Sequence, residues 1–339
     1  MRDTGSSGAG EWGAGTRAAC KQRPAARCVL FGARMQTQAP GPAERGAIRA
    51  AAGPSTPEAI VSDFTLAHDI IEAPGATPTR TAVLGHGILG NRQNWRSFAR
   101  QLCTRRPDLR IITVDHRHHG DSSGAPDHDS VAACARDQLS LCAQLGLRAD
   151  VFIGHSFGGK VALEVAAQRA AAGTITPPLT VFVLDAPPVA ADVHGRDEHE
   201  VARVLQALRS LPQPLADRQD VVAMLVDRGF ALPLARWMTT NLGRAADGWR
   251  WRFDLDGAAR LIDDYFSRDY MDLLSTPRAD LVVHVVRAAL SDRWSPALIA
   301  ALDGLPAGAP GRLHVLERAG HWVHADNPAG LLDLLDMEL

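Results

Sequence analysis

Two glycine-rich turns carry the residues best suited to covalent chemistry: Gly154-His155-Ser156-Phe157-Gly158-Gly159 and Ala319-Gly320-His321. A serine hydroxyl is a weak nucleophile until a neighbouring base takes its proton, after which it can attack a carbonyl carbon. A buried-strand run, residues 149–153, leads straight into the serine turn, and an Ala-rich helical stretch follows it. Strand, Gly-x-Ser-x-Gly turn and helix in direct succession form the context of a nucleophile elbow. Gly154 and Gly158 flank the serine because a Cβ at either would collide with the adjoining strand or helix. The helix N-terminus brings backbone N–H groups and a positive dipole end to the reacting carbonyl.

Acyl transfer needs two more parts, a pair of N–H donors for the oxyanion and a carboxylate for the imidazolium. Phe157, next after the nucleophile, supplies one donor. The stretch Thr81-Ala82-Val83-Leu84-Gly85-His86-Gly87-Ile88-Leu89-Gly90 is a strand running into a loop, and places Ile88 as the other, with His86 expected to brace that loop. Two strand ends compete for the carboxylate. Asp185 follows the run 180–184, and Asp292 follows the next strand, 29 residues before His321. The chain order Ser, acid, His admits both, and both strands should end on one rim. Position after the penultimate strand favours Asp292, while a capping or loop aspartate is the ordinary alternative for each. From the residues alone the choice stays open. Among thirteen histidines, His116, His118 and His119 cluster after a strand. Their adjacent spacing turns the rings in different directions, which reads as a polar loop near the site rather than a metal centre. His324 is expected to pack at the start of the last helix. This chemistry calls for no metal and no organic cofactor.

The elements that must hold these groups alternate. Apolar, β-branched runs at 81–84, 111–114, 151–153, 180–184, 281–286 and 313–316 are separated by helical spacing at 95–103, 131–145, 160–171, 296–302 and 328–337. Continuous apolar strands belong to a sheet covered on both faces, and strand–helix alternation predicts a doubly wound α/β sheet, mostly parallel. The alternation stops between 190 and 276, where helical candidates (198–208, 219–228, 234–242, 257–266) replace strands. An insertion set at the rim where ligands bind would act as a helical cap. Its aromatic residues, Phe230, Trp237, Trp249, Trp251, Phe253, Tyr265 and Phe266, fit an apolar acyl pocket, and equally fit packing of cap on core.

Composition bounds the rest. The chain has 339 residues, 46% apolar and 22% charged, with a formal net charge of −2. That suffices for a sizeable core, and the near-neutral balance argues against a dedicated nucleic-acid binder. No apolar run is long enough to span a membrane. Five cysteines, without CxxC spacing, suit a reducing compartment better than a disulfide scaffold. Residues 1–50 carry eight basic and three acidic side chains, a balance of +5, whereas the remainder balances at −7. Residues 1–55, rich in Ala, Gly, Ser and Arg, read as a disordered, transit-like segment for a mitochondrion or chloroplast. A plain disordered tail, or an upstream start before Met35, is the alternative, and would leave the protein cytoplasmic. The hydrolase domain is then 56–339, with 190–276 as its cap.

From about residue 60 onward the chain resembles the α/β-hydrolase fold superfamily. Its segments Gly85-His86-Gly87-Ile88-Leu89-Gly90, Thr113-Val114-Asp115-His116-Arg117-His118-His119-Gly120-Asp121-Ser122 and Gly154-His155-Ser156-Phe157-Gly158-Gly159-Lys160 are similar to the subfamily named α/β-hydrolase domain-containing protein 11 and to related bacterial acyl esterases. So are Leu184-Asp185-Ala186-Pro187-Pro188, Thr240-Asn241-Leu242 and Ala319-Gly320-His321-Trp322-Val323-His324-Ala325-Asp326. The resemblance implies a serine hydrolase of acyl or lipid esters, and organellar members are common in eukaryotes. It also leans toward Asp185, because such relatives often lack a carboxylate where this chain has Asp292; here both are present. The expected function is a serine esterase working through Ser156, His321 and one of these acids on a small-molecule acyl ester. The alternative from another class is a binding or partner-regulating protein with a slow or silent triad.

Overall fold

Strands that are apolar on both sides can only be satisfied between two helical layers, and the chain folds accordingly. The computed structural model describes residues 64–126, 128–175, 178–191 and 200–339. The transit-like segment 1–55 lies outside the described residues. In chain order the elements are β1 (His68–Ile71), β2 (Arg80–Gly85), α1 (Arg96–Arg105), β3 (Leu109–Val114), α2 (Val131–Gln144), β4 (Val151–His155), α3 (Phe157–Ala171) and β5 (Leu179–Leu184). Then come α4 (Glu200–Arg209), α5 (Arg218–Asp227), α6 (Leu232–Thr239), β6 (Leu242–Ala245), β7 (Gly248–Trp251), α7 (Leu255–Ser267) and α8 (Met271–Ser275). The chain finishes with β8 (Leu281–Ala288), α9 (Pro296–Asp303), β9 (Gly311–Leu316), α10 (Val323–Asp326) and α11 (Pro328–Glu338).

Among the described residues the main sheet runs β1-β3-β2-β4-β5-β8-β9. All pairings are parallel except β1 with β3. The fold is an α/β-hydrolase fold. One face packs under α2 and α3 around Phe152 and Val183, the other under α1 and α11 around Ile153, Leu184 and Val286. The fully buried β4, Val-Phe-Ile-Gly-His, shows why its sequence lacks the polar alternation of a half-exposed strand.

Three strands escape the sequence pattern. β1 is a short antiparallel edge strand whose polar His68 and Asp69 obscure any apolar run. Between β5 and β8 the expected helices are present, but β6 and β7 add an antiparallel hairpin. Ala246 and Asp247 make its two-residue turn, and Gly248, the first residue of β7, stands at φ 149°. The hairpin strands are mostly half-exposed, so they carry no buried-strand signature.

Candidate active site

β2 and β4 are neighbours although β3 separates them in the chain, so strand order reverses between them. In open α/β sheets ligands bind beyond the carboxyl ends of the strands at such a reversal. The loop after β2 and the turn after β4 both open there. Ser156 occupies the junction of β4 and α3 at φ 51° and ψ −115°, a conformation that costs a non-glycine residue about 1–3 kcal/mol. The surroundings enforce it. Its N–H donates to the Leu184 carbonyl (2.9 Å), and its own carbonyl accepts from the Gly159 N–H (2.9 Å). A Cβ on Gly154 would stand 1.9 Å from the Gly158 carbonyl oxygen, and one on Gly158 would stand 2.6 Å from that of Gly85. The turn is therefore too tight for any side chain at either position.

His321 comes from the loop between β9 and α10. Its Nδ1–H donates to Asp185 Oδ2 at 2.7 Å, with the imidazole 18% exposed and the carboxylate fully buried. His155, next to the serine, ties the two chain segments together by donating Nε2–H to the His321 carbonyl at 2.7 Å. Ser156, His321 and Ile88 line one cleft of about 750 Å³, its open mouth included. Val204, Leu234, Trp237, Met238 and Ile262 of the β5–β8 insertion form its apolar wall. Of the insertion's aromatics, Trp237, Tyr265 and Phe266 face the cleft. Trp251 and Phe253 instead stack on each other at 5.1 Å.

The two acids are separated by geometry. Asp185, at φ 47° just past β5, accepts from the Ala288 N–H (3.1 Å), Ser291 Oγ (2.8 Å), Trp294 Nε1 (2.7 Å) and His321. Asp292 is exposed and lines a neighbouring cavity with Lys160 and Arg203. The segment Ser291–Trp294 thus serves the site through the residues on either side of Asp292, not through its carboxylate. Burial opposes ionisation of Asp185, but the His321 hydrogen bond and charge, with Trp294 and Ala288, hold its carboxyl below the usual range. Burial likewise pushes the His321 imidazole below its ordinary value; the Asp185 bond pulls it back up, and the Arg293 cation adds to the downward push. A neutral ring, proton on Nδ1, leaves Nε2 able to accept a proton near pH 7.

The loop after β2 is held by imidazoles. His86 donates Nδ1–H to the Gly87 carbonyl (2.7 Å) and accepts the His116 N–H at Nε2 (3.0 Å). His116 returns Nε2–H to the His86 carbonyl (3.1 Å). His119 donates Nδ1–H to the Arg117 carbonyl (2.9 Å) and accepts the Leu89 N–H at Nε2 (3.0 Å). Burial lowers His86 to about 4 and His119 to about 3, so these rings stay neutral as the bonding requires. With the Leu89 N–H engaged, the adjacent Ile88 N–H has no hydrogen-bond acceptor among the described residues. Phe157 is the first residue of α3, so its N–H has no acceptor within the helix. His118 turns the other way, with Nε2 on Asp129 at 2.5 Å. His324 lies in α10, with its ring 4.2 Å from that of Trp95.

Sequence reasoning passed over several supports: Trp294, Ser291, Arg293, and Lys160 on α3. Lys160 Nζ donates to the carbonyls of Val189 (2.8 Å), Tyr265 (2.9 Å) and Arg268 (2.8 Å). A lysine directly after the serine turn, on an apolar helix, was the available signal. Cys103, Cys134 and Cys142 are free buried thiols, and burial raises Cys103 and Cys142 to about 11. Among the described residues no helix is long and apolar enough to cross a membrane.

Known proteins share this architecture. The mouse (Mus musculus) protein named sn-1-specific diacylglycerol lipase ABHD11 is 28% identical over 281 residues, spanning 79% of this chain and 83% of its own. Esterase YbfF of Escherichia coli (strain K12) is 28% identical over 263 residues, spanning 74% and 89%. Among solved structures, one titled marine microorganism esterase superposes with a TM-score of 0.67 at 23% identity, covering 81% of this chain and 100% of its own. The model of the alpha/beta hydrolase family matches residues 82–334. The chain belongs to the alpha/beta hydrolase family.

Proposed function

We propose that the protein is a serine hydrolase that cleaves carboxylic esters of acyl or lipid substrates through a Ser156–His321–Asp185 triad and an acyl-enzyme. The observation that carries this reading is the Asp185-paired imidazole of His321 in the same cleft as the strained Ser156 turn. Relatives named lipase and esterase support the reaction class. The apolar wall of the cleft supports an acyl chain as the group bound beside the ester.

In this reading His321 Nε2 takes the Ser156 hydroxyl proton as Oγ attacks the ester carbonyl, and the N–H groups of Ile88 and Phe157 hold the oxyanion. Collapse expels the alcohol, which leaves with the proton from His321. Water then gives a proton to His321 and attacks the acyl-enzyme; the carboxylic acid departs and Oγ recovers its proton. Asp185 keeps the imidazole in the tautomer this needs and offsets the charge on the imidazolium.

Labelling with a fluorophosphonate tests the proposal. One equivalent should attach to the wild-type protein and none to Ser156→Ala, with p-nitrophenyl ester turnover lost in parallel. A folded wild-type protein that takes no label would leave the fold as a binding or partner-regulating scaffold. Esters of graded acyl length would then define the substrate. The reading of residues 1–55 as an organellar targeting segment rests on their composition. Fused to a fluorescent reporter they should direct it to a mitochondrion or chloroplast; a diffuse cytosolic signal would reject it.

A further inference from the structure

On the face of the sheet covered by α11, away from the cleft, three metal-ligating side chains converge. His284 lies on β8 and His314 on β9, where the register pairs His284 with Arg312 and Val286 with His314. The two histidines are thus diagonal neighbours, and an offset of two residues keeps both rings on one face. Glu338, in the last turn of α11, reaches the same point. His284 Nδ1 is 3.0 Å from His314 Nε2 and 3.6 Å from Glu338 Oε2, and one donor atom from each of the three falls within 4.8 Å of the others. We propose that His284, His314 and Glu338 form a binding site for a divalent transition metal, with Zn²⁺ the best-matched ion.

The donor set and its spacing support this. Two imidazoles and one carboxylate are a recurring protein ligand set for zinc, at about 2.0–2.2 Å from the ion. Donors at that radius in tetrahedral array stand roughly 3.3 Å apart, so small side-chain rotations suffice. The His284 ring is buried and stacked on Phe182, 4.6 Å between centroids and 14° between planes, so one ligand is already oriented. Glu338 is 21% exposed, which leaves an entry path and room for water as a fourth ligand. Burial holds His284 near 4 and lowers His314, so both rings are in the neutral form that metals require. Arg312 is the nearby like charge, and it too favours the neutral form of both rings. Four residues along β8 separate His284 from Ala288, about 13 Å at the usual rise, so the ion would not touch the cleft. Its effect would be to pin α11 to β8 and β9, the strands that lead to the Asp185 partners and to His321.

The test uses untagged full-length protein, dialysed against EDTA and then titrated with Zn²⁺, with calorimetry and thermal melting as readouts. One ion should bind, and at a free concentration a hundredfold above the dissociation constant Tm should rise by roughly 5 °C. Loss of an outer-shell partner alone weakens metal sites about 10–100-fold, so Glu338→Gln and His314→Gln should each weaken binding at least tenfold. Metal-free Tm values from the same titrations report whether each variant folds, and Glu338→Gln, at a partly exposed helix end, keeps the test decisive should His314→Gln fail. Two results would overturn the proposal: no Tm change with Zn²⁺, as expected if the histidines merely share an N–H···N hydrogen bond, or equal affinity in wild type and the folded variants.

Discussion

Asp185 and Asp292 show what a single residue contributes through its surroundings. Both are aspartates just past a strand end, yet four donors, His321 among them, converge on the first, while the second is exposed. Chain position could not separate them, because the deciding contacts span 103 to 136 residues of sequence. Asp185→Asn should therefore lower ester kcat by roughly ten-thousand-fold, through loss of the correct tautomer, with the fold kept. Asp292→Asn should leave kcat near wild type. The reverse ranking, measured on a p-nitrophenyl ester with circular dichroism as the control, would reject the assignment. Arg293 acts on the same imidazole by charge alone. Its cation lowers the His321 pKa, so Arg293→Met relieves the imidazolium and raises that pKa. The acid limb of kcat/KM against pH should then move to higher pH, and an unmoved limb would show that the cation does not reach the base.

At the scale of elements, the insertion is joined to the sheet by specific polar contacts as well as apolar ones. Asn91 caps the short 3₁₀ turn Arg92–Trp95 and donates Nδ2–H to Asn241 Oδ1 at 2.7 Å, a buried bond between the loop after β2 and the insertion. Asn241→Leu leaves that donor without its acceptor and should cost about 1–3 kcal/mol, read as a lower urea midpoint. An unchanged midpoint would mean the pair does no docking. The α helices of this region were legible from their apolar spacing, because each buries one stripe. The β6–β7 hairpin was not, because its strands are short and mostly half-exposed.

Across the whole molecule, Lys160 links helix, insertion and pH. Burial takes its ammonium from 10.5 down to about 7, although three carbonyls match its three N–H donors. Between those two pH values the unfolded chain holds a proton that the folded chain has released, so this group's contribution to stability is least below about 7 and rises toward 10.5. The stability of wild type relative to Lys160→Met should therefore grow from neutral to alkaline pH in urea unfolding; a constant difference would place the folded pKa near its ordinary value.

The sequence by itself determined what short-range physics controls. It specified the alternating sheet and helices, since a strand buried on both faces must be apolar throughout, and the serine turn, since a Cβ at Gly154 would run into the Gly158 carbonyl four residues on. Tertiary structure decided which acid faces His321, that His116 and His119 join the expected His86 as braces, and how Ser291 and Trp294 rather than Asp292 reach the site. Those outcomes depend on side chains meeting across a sheet, where strand order and loop path set the distances and no local spacing records them.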